Sequence, residues 1–108
     1  MEIDSTVATT EELLRAVADS QRRAVLRYVR DADTDATTVD ELARALADAG
    51  DGGIDQPLDE LRIGLRHVHL PKLSDLGVVT FDARTSTVRY VGDDRVEALL
   101  QFVATELE

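Results

Sequence analysis

The stretch RHVHLPKLSDLGVV, residues 66–79, holds both histidines of the chain, its only lysine and one of its two prolines. Metal ligation is the first chemistry such residues could perform. His67 and His69 stand two positions apart, which on a helix separates them by about 200° and prevents them from closing on one ion. No cysteine is present to complete a site, so neither a metal nor another cofactor is expected. His69 is expected to anchor its helix against the core or the wing, and His67 to face outward. Neither histidine sits in a serine or cysteine pattern that suggests a triad, and carboxylate pairs carry no information in so acidic a chain. Enzyme activity is therefore not expected.

Phosphate and base contacts are the second possibility. From Leu61 to Leu73 there is no acidic residue, while Arg62, Arg66 and Lys72 contribute three positive charges. Arg84 and Arg89 follow on what reads as a hairpin and would extend this basic stretch, in the way a wing adds backbone or minor-groove contacts beside a reading helix. Arg62, Arg66, His67, Lys72, Arg84 and Arg89 are the candidate DNA-binding residues.

A regular helix through this segment has a divided face. At about 100° per residue, Leu58, Leu61, Leu65 and Val68 form one apolar arc and Ile63, Leu70 and Leu73 another. Arg62, Arg66 and His69 fall between the arcs, and Glu60, Gly64, His67 and Ser74 take the open side. Two arcs imply a helix covered on two sides, by its own core and by a second subunit. Arg62 also has a purely structural alternative, a pair with Asp59 three residues earlier. Pro71 removes a backbone donor in mid-helix, and a bend after Leu70 would let Leu70 and Leu73 both reach the core.

The flanking elements follow from periodicity and capping. Residues 1–9 read as a loose arm and 10–108 as one domain. Thr10 is placed as the cap of a first helix with Leu13, Leu14 and Val17 on one face. A second helix starts near Ser20, with Ala24, Val25, Tyr28 and Val29 at helical spacing. Thr38 and Glu41 form a capping box for a third helix, with Val39, Leu42, Ala43 and Leu46 inward and glycines 50–53 as its stop. Pro57 suits the first turn of the fourth, which runs toward Leu76 and stops at Gly77. Residues 78–91 alternate as a two-stranded hairpin around DARTS. Asp93 or Asp94 caps a last helix, about 93–107, with Val96, Leu99, Leu100, Val103 and Leu107 in a stripe. The expected fold is mainly α with a β-hairpin wing, a winged helix-turn-helix with extra N- and C-terminal helices.

Composition narrows the setting. The formal net charge is −10, from 22 acidic and 12 basic residues, and eleven of the twelve cations are arginine. That balance suggests a halophilic protein kept soluble by a hydrated acidic surface, whose self-repulsion concentrated salt screens. Near 1 M salt the Debye length is about 3 Å, so distant carboxylates oppose DNA little while contacting groups still act. The absence of cysteine and of any long apolar run points to a cytoplasmic protein without a membrane segment.

Three blocks together resemble a known pattern. ADSQRRAVLRYV, TVDELARAL and HVHLPKLSDLGVV are similar, in order and spacing, to the second helix, the first helix of the helix-turn-helix and the end of the reading helix in ArsR-like winged-helix repressors. With the acidic surface, the combination looks closer still to a haloarchaeal winged-helix-like domain family of unassigned function. The resemblance implies a homodimeric transcriptional regulator that binds double-stranded DNA, with the terminal helices pairing between subunits. The chain lacks the cysteine ligands of the metal sensors, and its connection from Ala49 to Leu58 is longer than the tight turn of the motif. The competing expectation is a winged-helix scaffold used as a protein–protein interaction module without DNA binding, consistent with Glu60 and Gly64 on the open side.

Overall fold

The structure, a computed structural model, describes residues 8–32, 36–49 and 57–107. The larger part of the expected arm and the glycine-rich connection lie outside them. Helices α1 (Thr10–Ala18) and α2 (Ser20–Asp31) meet at a sharp corner and are followed by the short strand β1 (Thr37–Thr38) and helix α3 (Val39–Ala49). One long helical rod comes next: α4 (Leu58–Gly64), a π-helical turn over Leu65–His69, and α5 (Leu70–Asp75). The hairpin β2 (Val79–Asp82) and β3 (Thr87–Tyr90) leads into α6 (Asp94–Phe102), which ends in a second π-type segment, Val103–Leu107. This is a winged helix-turn-helix with additional helices at both ends.

Local chemistry explains the boundaries. α1 is capped one residue earlier than expected, by Thr9, whose hydroxyl accepts from the Glu12 amide at 3.1 Å while the Glu12 carboxylate accepts from the Thr9 amide at 2.8 Å. Glutamate three positions on is what selects Thr9 over Thr10. The Thr38–Glu41 box is present as expected, with bonds of 3.1 and 2.9 Å. At the end of α5, Gly77 adopts φ 81. Its amide reaches Ser74 O and the Val78 amide reaches Leu73 O, the pair of bonds that closes a Schellman motif.

The sheet has the order β1-β3-β2, antiparallel throughout. Its third strand goes beyond the two-stranded hairpin expected from the sequence. Thr37 pairs with Val88 and Thr38 with Thr87, and the Val39 amide donates to Ser86 O at 2.9 Å, so the start of α3 is tied to the wing turn. Beneath lies one core in which Leu26, Leu42, Leu61, Leu65, Leu70, Leu73, Val88 and Leu100 are almost completely buried. A polar strut crosses its edge: Tyr90 donates to the Glu97 carboxylate, which also accepts from Arg30 at 3.5 Å, joining β3, α6 and α2. Burial and that acceptor together push the Tyr90 phenol well above its ordinary range. Gly92, at φ 88, lies under the Tyr90 ring, where a Cβ would come within 3.2 Å of it.

The π turn corrects the expected helical faces. The Leu70 amide reaches back five residues to Leu65 O, a wider turn that inserts one residue relative to an α-helix. Everything beyond it is rotated back by about 100°. Leu70 and Leu73 thereby come into line with Leu61 and Leu65, and all four are buried. Val68, placed by a regular wheel in the core arc, is 54% exposed instead, and Ile63 is 60% exposed. The widened turn lies just ahead of Pro71, whose ring would crowd the carbonyl four residues earlier in a regular helix.

Candidate nucleic-acid interface

The six candidate residues fall into three places. Arg62, Arg66 and His67 line one cleft with Thr38, Asp40 and Ser86, bounded by the start of α3, the rod and the wing turn. Arg84 and Arg89 stand on the hairpin, both exposed. Lys72 borders a different groove, against α1 and α2.

Arg62 is held by two carboxylates. Its Nε donates to Asp40 at 2.8 Å and another nitrogen to Asp59 at 2.9 Å, the latter being the pair anticipated from the sequence. Asp40 also accepts from Arg44 at 2.7 Å. Arg44 and then Arg62 hold the Asp40 carboxyl below its ordinary range. Arg66 is engaged differently, because its two terminal nitrogens donate to Ser86 Oγ and, at 2.8 Å, to Ala83 O. The guanidinium fork thus clips the wing turn to the rod, a geometry that lysine's single ammonium does not reproduce. His67 is exposed at the mouth of the cleft. Arg84 protrudes with 90% of its side chain exposed and contacts Asp82 at 3.8 Å. Arg89 lies on the outer face of the sheet with Thr80 and Thr87.

His69 turns inward, since the π turn rotates it toward the α1–α2 corner. Arg22 donates toward its Nδ1 at 3.5 Å. Arginine can only donate, so this nitrogen accepts and the neutral ring carries its proton on Nε2. Burial lowers its pKa below 6.5; nearby Asp19 opposes the shift and Arg22 reinforces it. The unfolded chain then binds this proton first as pH falls, so the histidine withdraws stability from about pH 6.5 downward until the folded form also protonates. His69→Gln is expected to flatten the decline in melting temperature between about pH 7 and about pH 5.5. An identical pH profile in the variant would show that another group is responsible.

A second basic stretch lies outside the six candidates. α2 carries Arg22, Arg23, Arg27 and Arg30 with no acid before Asp31. Arg22 donates to Ala16 O at 3.0 Å and Arg15 O at 3.3 Å, and Arg23 donates to Val17 O at 2.8 Å. These cations satisfy the terminal carbonyls of α1, where the negative end of the helix dipole favours them. The signal for them in the sequence is their position just after a helix end.

Among the described residues no group of three or more histidines and carboxylates could hold a metal ion, and no helix is long and apolar enough to cross a membrane. Residues 14–89 match the family described as Domain of unknown function (DUF7344), a span that covers α2, α3, the rod and nearly all of the hairpin. Comparison with curated proteins and with solved structures gives no match.

Proposed function

The chain belongs to the DUF7344 family, and we propose that in this member the winged-helix scaffold serves as a cytoplasmic, non-enzymatic DNA-binding regulator working as a homodimer in a salt-rich cell. The observation that carries this reading is the Arg66 clip. It fixes the wing turn beside the open side of the reading helix, so that His67, Arg84 and Arg89 are offered to a duplex from one preorganised surface. Arg62 lies in the same cleft and reaches DNA by exchanging Asp40 for a phosphate or base edge. Lys72 is a contact only for a duplex that extends past the rod toward α1. The exposed Leu14 of α1 and the exposed Phe102 and Leu107 at the end of the chain's last helix support pairing of two copies through the terminal helices.

Binding to genomic DNA fragments, followed by fluorescence anisotropy across a potassium chloride series, tests the reading. Preference for particular fragments over bulk DNA is the expected result. Equal affinity for all fragments at every salt concentration would end it.

A second reading draws on the neutralisation of Arg62 by Asp40 and Asp59 and on the exposure of Ile63 and Val68. These features favour a protein partner on the same face. Recovery of one stoichiometric protein partner, displaced by Ile63→Asp, together with absence of DNA preference, would establish it.

A further inference from the structure

A second cation-rich groove lies beneath Lys72. It is formed by α1, the start of α2 and α5, encloses about 140 Å³, and is lined by Arg15, Arg22 and Lys72 with Glu12, Ala16 and Leu76. Three cations converge there, with Glu12 in the lining and Glu11 beside Arg15, in a chain where acids outnumber bases by 22 to 12. Glu12 is already committed as an acceptor for the Thr9 amide, and its pKa is lowered first by that bond.

Arg22 is pinned by donation to Ala16 O, Arg15 O and His69, which occupies three of its five N–H groups and leaves two. Its orientation is therefore set before anything binds. Arg15 contacts Glu11 at 3.6 Å, both side chains being about three-quarters exposed, and its charge also lowers the Glu12 carboxyl. The Lys72 ammonium, whose charge helps to lower the Glu12 carboxyl across the groove, adds three mobile donors.

We infer that this groove is a binding site for a small phosphate-bearing ligand, held between the preset Arg22 fork and the ammonium of Lys72, with Arg15 closing over it. A phosphoryl group accepts hydrogen bonds from donors arriving from three elements. The volume holds a phosphoryl group with a few waters, at about 30 Å³ of liquid for each water. Because Arg22 also faces His69 in the π turn, a bound anion touches the network that seats the reading helix. The inference does not depend on DNA binding.

NMR titration of the full chain at constant potassium chloride concentration tests it, with inorganic phosphate in one arm and glycerol phosphate in the other. The expected result is saturable shifts at the α1–α2 corner and in α5, the tighter arm telling whether the ligand is free phosphate or an ester. Lys72→Gln and Arg15→Gln should each weaken the binding about tenfold. Both side chains are exposed, so the fold should survive. Arg95→Gln, which removes the same charge on α6, should leave it unchanged. A response that never saturates, or that persists in Lys72→Gln, would overturn the inference. So would a flat phosphate titration in which Lys72→Gln instead weakens duplex binding, for the groove would then belong to the DNA surface.

Discussion

Arg66→Ala is expected to weaken preferred binding to duplex DNA by about ten- to a hundredfold while leaving the helical circular dichroism spectrum unchanged. Arg66 acts by holding the wing in place, and losing the DNA contacts that this positions corresponds to about 1 to 3 kcal/mol. Arg66 donates to both Ser86 Oγ and Ala83 O, so stability should also fall, by about 1 to 2 kcal/mol for charge-assisted bonds at a half-exposed site. Arg66→Lys separates the two roles. It keeps the charge but not the fork, and should recover only part of the binding. Full recovery by lysine would mean that charge alone matters. Unchanged affinity in Arg66→Ala would remove this face from DNA recognition and leave it to a protein partner.

The second large effect concerns the rod itself. Leu70 is completely buried, and Leu70→Ala should cost about 2 to 5 kcal/mol. Total stabilities of domains are only about 5 to 15 kcal/mol, so the melting temperature should drop by on the order of 10 to 20 °C. Val68→Ala, at a half-exposed site, should change stability by no more than about 0.5 kcal/mol. In an unbroken α-helix the ranking would reverse, because Val68 would share the arc of Leu61 and Leu65 while Leu70 would lie off it. Denaturant melts of the two variants therefore report whether the inserted residue is present in solution.

What can be read from the sequence is mostly what is local. The Thr38–Glu41 box, the Gly77 stop and the inward set Val39, Leu42, Ala43 and Leu46 each depend on residues a few positions apart, and all stand as expected. The cap of α1 is legible too, since Thr9 and not Thr10 has glutamate at the third position. The faces of the α4–α5 rod are not legible with a wheel of constant pitch, because one wide turn ahead of Pro71 changes the phase of everything after it. Part of the two apolar arcs is the trace of that phase change, which moves Leu70 and Leu73 to the core and leaves Ile63 and Val68 exposed. β1 escapes because two threonines carry no strand signal until Val88 and Thr87 are beside them.

The candidate site shows the same division. Basic residues at 62, 66 and 72 form a run in sequence. Three dimensions distribute them to a carboxylate cage, a wing clip and a separate groove. The cage around Arg62 depends on Asp40, twenty-two positions away, and the clip on a turn seventeen to twenty positions away. Charge counting along the chain does not register either partner. His69 does face the interior as expected, but for a reason the sequence hides, since the π turn is what rotates it to Arg22.

The tie between the start of α3 and the wing has a kinetic side. Thr37 meets Val88, and the Val39 amide finds its acceptor at Ser86, so this corner closes a loop of about fifty residues whose entropic cost must be met before the contacts return anything. During synthesis the four helical segments before the hairpin can form and dock, yet α3 keeps a loose start until the ribosome has released Thr87 and its neighbours. Folding should consequently finish with the sheet. It should be slower than that of an all-helical bundle of the same length, in keeping with the higher sequence separation of its last contacts.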